Sequence, residues 1–160
     1  MVRTAPLIPL ILAVAVAGTA LLSQYWGGLR PCELCLYERW PYYAAIALTL
    51  LAVIAGRSCF SRAALLLTAL IFVASAALAF YHVGVEQHWF AGPSACTGDV
   101  FKGGGSIEDL RKRLLATPPV RCDEIQWSVF GLDPLVDGNF VVSIVLAVLS
   151  FGLVARTRKA

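Results

Sequence analysis

Four long runs almost free of charge constrain this chain more than any other feature: about Ala5 to Tyr25, Trp40 to Ala55, Ala63 to Val83 and Phe140 to Ala155. A helix needs roughly 20 predominantly apolar residues to cross a bilayer, so these runs read as membrane spans. Hydrophobic residues make up 59 % of the 160 and charged residues only 14 %, far from the soluble average. The expected fold is an all-α membrane protein, a four-transmembrane-helix bundle forming a single domain over residues 1–160. Its helices are predicted at about 5–25, 36–56, 63–83 and 139–155, with outer loops at about 26–35 and 84–138. The first run also has features of a cleaved signal peptide, with Arg3 ahead of it and the small residues Ala17-Gly18-Thr19-Ala20 within it. Its length exceeds the roughly 7 to 15 residues of a signal core, which favours a span.

Charge sets the orientation. With both termini inside, the short inner segments hold Arg3, Arg57, Arg62, Arg156, Arg158 and Lys159, while every Asp and Glu falls in the outer segments. This satisfies the positive-inside rule, which counts Lys and Arg in short loops and weakens for long ones. The net charge of +3 therefore implies no nucleic-acid partner. Cys32, Cys35, Cys96 and Cys122 fall in the outer segments and Cys59 inside. Disulfides persist on the oxidising side of a membrane, and four outer cysteines allow three pairings. Cys59 reads as a bystander.

The second run is too short by itself: Pro41 to Gly56 does not cross about 30 Å at 1.5 Å per residue. Arg57 marks its inner end, so the span is expected to reach back to about Leu36, leaving Arg39 at the outer membrane boundary. If the segment is helical from Cys32 onward, Cys32, Cys35 and Arg39 share a face, and Pro41 kinks the helix against the carbonyl of Tyr37. Alternatively, Pro41 begins the regular helix and residues 32 to 40 form a tight lead-in. An inner turn from Gly56 to Arg62 leads to the third run, which brings His82 to the same surface as Arg39. That coincidence suggests a shared site.

The long outer loop contains the breakers Gly92-Pro93 and Gly103-Gly104-Gly105 on either side of Cys96. Ser106-Ile107-Glu108-Asp109 resembles a helix cap, and Ile107, Leu110, Leu114 and Leu115 recur at helical spacing opposite Arg111, Lys112 and Arg113. A short basic amphipathic helix on the lipid surface fits this pattern. Pro118-Pro119 ends it ahead of Cys122.

A Cys-x-x-Cys pair closes a small-ring disulfide, and its thiol pKa values drop near a helix N-terminus or a cation. Cys35 is expected to feel both, from the start of the second helix and from Arg39. A structural staple, or a zinc site completed by Cys96 and Cys122, are the bland alternatives. Two pairs on one membrane face favour redox work, because thiol exchange passes electrons between them. Arg39 and His82 are candidates to stabilise charge on a reduced carbonyl oxygen. Their plainer readings are pairing with lipid phosphate and capping of the third helix, and His88 reads as an interfacial residue.

Pro31-Cys32-Glu33-Leu34-Cys35-Leu36-Tyr37-Glu38-Arg39, Tyr81-His82-Val83-Gly84-Val85-Glu86, and Cys96 and Cys122 followed by Trp127-Ser128 and Phe130-Gly131-Leu132 resemble the bacterial disulfide bond formation protein B (DsbB) family. The resemblance covers nearly the whole chain. It implies a multi-pass protein of the bacterial inner membrane, both termini cytoplasmic, which reoxidises a periplasmic thioredoxin-fold dithiol oxidase of the DsbA type. The implied cofactor is a quinone, ubiquinone or menaquinone. By the same resemblance Cys96 is the cysteine attacked by the partner, Cys122 relays to Cys32, and Cys35 is the thiolate that forms a charge-transfer complex with the quinone. Arg39 and His82 are its polar neighbours.

The expected activity is therefore that of a quinone-dependent protein-dithiol oxidoreductase, with membrane lipid and the dithiol protein as partners and with no metal. A related thiol oxidase with a dedicated partner is the nearest alternative. A structural four-helix membrane protein with stapled outer loops is the alternative from another class.

Overall fold

The computed structural model describes residues 4–56, 58–93, 106–116, 120–125 and 136–159. They form helices α1 (Leu7–Tyr25), α2 (Glu33–Tyr37), α3 (Arg39–Ala55), α4 (Ser58–Glu86), α5 (Ile107–Ala116) and α6 (Val136–Lys159). No strand occurs among the described residues. Among the described residues, three helices are long and apolar enough to cross a membrane: α1, α4 from Cys59 to Glu86, and α6 from Val136 to Thr157. Helix α3, at 17 residues, is shorter.

The reason for that shortness is Pro41. Its ring excludes the carbonyl four residues back and offers no N–H, so helix running from Glu33 stops at Tyr37 and restarts at Arg39. Pro41 then sits in the first turn of α3, where its missing donor costs nothing. The expected helix over 36–56 is thus two helices joined at Glu38, and the joint turns Glu38 and Arg39 to different partners. Helix α3 ends at Gly56, which takes the left-handed conformation (φ 59°) and returns its N–H to the carbonyl of Ala52. A glycine adopts that conformation without steric cost.

Three boundaries differ from expectation for related reasons. The expected inner turn over 56–62 is mostly helix, because α4 begins at Ser58, and α4 continues past Val83 to Glu86. The last helix begins at Val136 rather than 139. Polar residues at helix ends lower local hydropathy without interrupting the backbone hydrogen bonding. Ser106 caps α5 as expected, exchanging hydrogen bonds with Asp109 through both backbone and side chain.

Many buried positions are small or hydroxylated, and many large apolar side chains face outward. Ala13, Ala17, Ala45, Thr49, Ala69, Ser75, Ser143 and Ala147 are buried; Ile11, Leu51, Ile54, Leu67, Leu70, Val145 and Val148 are exposed. Small residues let helix backbones approach closely in a membrane, and the outer apolar side chains match lipid. Tyr42 and Phe72 meet edge to face at 5.3 Å in the central cluster with Ala13, Ala45 and Leu146. Helix α4 packs most extensively on α6, and α3 fits against both α1 and α4, while α1 barely touches α6. That last gap positions the site.

Candidate functional site

Cys32 is the N-cap of α2, and its Sγ accepts the backbone N–H of Cys35 at 3.2 Å. The two sulfurs lie 2.7 Å apart as free thiols. The Cys32 thiol is pulled below its ordinary value, first by the hydrogen bond from the Cys35 side chain and then by that backbone N–H, against burial. Cys35 is pushed far up by the same sulfur–sulfur hydrogen bond and by burial. The expectation put the helix N-terminus and Arg39 together on Cys35. In the structure the N-terminus acts on Cys32, because α2 starts at Glu33, and Arg39 donates to Gln24 Oε1 on α1 at 2.5 Å.

His82 is no cap, since α4 runs one turn beyond it. Its ring is buried, 1 % exposed, with Nε2 3.5 Å from Cys32 Sγ. Nδ1 lies 2.8 Å from Glu38 Oε1. A proton held on Nδ1 and donated to that carboxylate leaves Nε2 turned toward the sulfur, able to take or return the thiol proton. Glu86, one turn along α4, places Oε1 3.8 Å from the same Nε2. Glu38 Oε2 accepts from Asn139 Nδ2 at 2.8 Å, Asn139 Oδ1 accepts from Tyr42 OH at 2.6 Å, and Tyr42 continues to Ser143 and Ser75. A buried carboxylate is tolerated only with such partners.

Cys122 is buried, disulfide-bonded, and packed in one apolar cluster with Cys32, Leu34 and Val85, flanked by Cys35, Tyr81 and Val120. It therefore supplies no thiolate to a four-cysteine zinc centre. Cys96 lies outside the described residues. Arg121 forks onto Asp123 at 3.0 and 2.7 Å, and this pulls the Asp123 carboxyl below its ordinary value. Cys59 is free, exposed and remote from the pair in sequence.

Where α1 stands away from α6, a cavity of about 370 Å³ opens beside the pair. Its walls include Val16 and Ala20 of α1 and Val142 of α6, and its polar lining includes Cys35, Arg39 and Asn139. Thus Cys32, Cys35, Arg39 and His82 converge, and Cys122 joins them through the apolar cluster. Glu38, Glu86, Asn139, Tyr42 and Gln24 were not singled out from sequence. Glu38 and Glu86 stood inside the quoted motifs, and an acid at the end of an apolar run was their available signal. Asn139 and Gln24 carried none, because one polar amide at a helix end is unremarkable.

A family model described as "Disulfide bond formation protein DsbB" matches residues 2–153. The chain is 33 % identical over 135 residues to Disulfide bond formation protein B of Actinobacillus pleuropneumoniae, covering 81 % of this chain and 73 % of that protein. It is 26 % identical over 156 residues to the Haemophilus influenzae protein of the same name, covering 92 % and 83 % respectively. An uncharacterized Rickettsia prowazekii protein is 26 % identical over 144 residues, covering 89 % and 81 %. No solved structure matches the chain.

Proposed function

The chain belongs to the DsbB family of disulfide bond formation proteins and is a disulfide-forming, multi-pass membrane protein; from that premise we propose that it is a thiol:quinone oxidoreductase of the bacterial inner membrane. It reoxidises a periplasmic DsbA-like dithiol oxidase. Residues 36–56, the last two residues of α2, Glu38, α3 and Gly56, form the fourth span of the bundle and leave the cysteine pair just outside it. Both termini are cytoplasmic, and α5 lies on the outer lipid surface. The short basic inner segments and one-sided acids support that orientation.

The observation that carries the reading is the apolar cavity bordered by Cys35 and Arg39. Its volume lies within the roughly 300 to 1,000 Å³ of small-molecule sites, and its mostly apolar wall with a few polar groups fits a quinone ring. Arg39 and Asn139 would hold the carbonyl oxygens. When bound, the quinone supplies the acceptor for the two electrons and two protons of the dithiol.

The residues' own steps follow from thiol exchange. A partner thiolate attacks Cys96, releasing Cys122, whose thiolate attacks Cys32 and breaks the Cys32–Cys35 bond. Cys35 then leaves as a thiolate; with the Cys32 sulfur engaged in a mixed disulfide, the neighbouring anion that disfavours ionisation of Cys35 is gone. The partner's second thiolate then breaks the partner's bond to Cys96 and leaves as the oxidised partner. The freed Cys96 thiolate attacks Cys122, which re-forms the outer disulfide and displaces Cys32 as a thiolate whose proton is exchanged with His82 at Nε2 while Glu38 holds Nδ1. The test mixes purified protein with quinone and a reduced periplasmic dithiol protein. Quinone absorbance should fall as the partner is oxidised, and a partner oxidised with no loss of quinone would refute the acceptor.

A further inference from the structure

The reduced thiol pair and its histidine also present a ligand set for a metal ion. Cys32 Sγ, Cys35 Sγ and His82 Nε2 all lie within 4.8 Å of one another. Two thiolates and one imidazole form a mixed S/N ligand set suited to zinc. Around a tetrahedral ion with bonds of about 2.3 Å to sulfur and 2.0 to 2.1 Å to nitrogen, ligand atoms stand roughly 3.4 to 3.8 Å apart. Cys32 Sγ and His82 Nε2 are already 3.5 Å apart. The sulfurs, at 2.7 Å, must part by about 1 Å to reach that spacing. Cys35 is half-buried on the cavity wall, so a side-chain rotation toward the cavity provides the movement.

One further feature suits a metal centre. The far nitrogen of His82 is held by Glu38 at 2.8 Å, the carboxylate–histidine arrangement that orients a metal-bound imidazole. Glu86 Oε1 is buried and 3.8 Å from Nε2 but lies outside the cluster of three ligand atoms, so three protein ligands leave the fourth position to water.

We propose that the reduced Cys32–Cys35 pair, with His82, is a binding site for a soft divalent cation such as Zn²⁺, and that the cation inhibits by holding the dithiol out of disulfide chemistry. Binding releases the remaining thiol protons and forms two metal–sulfur bonds, with no change of oxidation state. The oxidised pair has no thiolates to offer and is insensitive. The inhibitory part rests on the proposed redox cycle, whereas the binding part does not.

The probe is Co²⁺ under anaerobic conditions, added to full-length Cys59→Ser/Cys96→Ser/Cys122→Ser protein, in which Cys32 and Cys35 are the remaining thiols. One Co²⁺ per chain with a thiolate-to-cobalt absorption band is expected for the reduced pair, and none once the same protein is oxidised. Glu38→Gln should weaken binding by about 10-fold to 100-fold, and His82→Ala by more. Should the triple variant fail to fold, Cys59→Ser protein is compared with and without Cys32→Ser, the difference band reporting the pair. An absent band, a band that survives Cys32→Ser, or an affinity unchanged by His82→Ala overturns the site. These readouts use neither quinone nor partner, so a failed quinone assay leaves them standing. Turnover that begins from reduced protein and is unaffected by saturating Zn²⁺ overturns the inhibition.

Discussion

Replacing Glu38 by glutamine separates the charge of this carboxylate from its shape. Each oxygen accepts one N–H, from His82 at 2.8 Å and from Asn139 at 2.8 Å. The amide keeps one acceptor and turns the other into a donor. The network can absorb that change: if the new amide oxygen keeps His82 and Asn139 flips, Asn139 donates to Tyr42, which donates in turn to Ser143, 3.2 Å away. The folding cost should therefore stay near the roughly 1 kcal/mol of a neutral hydrogen bond. The loss at His82 is larger, because a hydrogen bond to a charged group is worth about 1.5 to 3 kcal/mol. At about 1.4 kcal/mol per factor of ten, oxidation of the reduced pair should slow by roughly 10-fold to 100-fold. Glu38→Ala should instead leave both donors buried without an acceptor and cost about 3 to 5 kcal/mol of stability. The assay is single-turnover mixing of reduced protein with quinone, followed by thiol trapping at timed intervals, alongside thermal unfolding in detergent. Steady-state kcat should fall with the quinone KM little changed, since Glu38 acts through His82. A well-folded Glu38→Gln protein that reoxidises at the unmutated rate would refute the role assigned to the His82–Glu38 pair.

Gln24→Ala releases the Arg39 guanidinium, and Arg39→Lys removes its planar fork; each should raise the quinone KM roughly tenfold while exchange with the partner persists, and unchanged quinone kinetics in both would leave Arg39 outside the site. Ultraviolet thiolate absorbance of the reduced pair should rise in two steps, one below and one above the ordinary thiol range, because Cys32 is lowered and Cys35 raised by one shared hydrogen bond; Cys35→Ala should move the first step upward, and a single unshifted step for both thiols contradicts this. Gly84→Ala should cost about 1 to 3 kcal/mol, since a Cβ there would stand 2.1 Å from the Phe90 ring; displaced Phe90 should alter the fluorescence of neighbouring Trp89, and an unchanged unfolding temperature would mean the ring moves freely. Reporter fusions after Gly56 and Ala160 should both report cytoplasm and one near Gly104 periplasm, so a periplasmic C-terminus would sink the proposed orientation.

Hydropathy alone made a helical membrane protein of this chain, since runs such as Ala63 to Val83 have no other stable way to satisfy their backbone in lipid. Cysteine spacing likewise marked a reactive pair, and Pro41 signalled a break whose position could not be chosen between two readings. What hydropathy could not supply was which side of each helix faces inward: lipid and protein interior are both apolar, so Leu67 outside and Leu65 inside look alike in sequence. The site depends on that choice. His82 meets Cys32 across 50 residues and Glu38 across 44, and Cys122 reaches the same cluster from a loop whose path no periodicity encodes. The cavity exists because α1 and α6 stay apart while α3 and α4 hold them, an outcome of small residues packing at several interfaces at once. Local sequence sets which segments are helices and which residues carry chemistry. Bringing an imidazole, a carboxylate and two thiols within bonding distance depends on the relative rotation and depth of packed helices, which are decided only when all the interfaces close together.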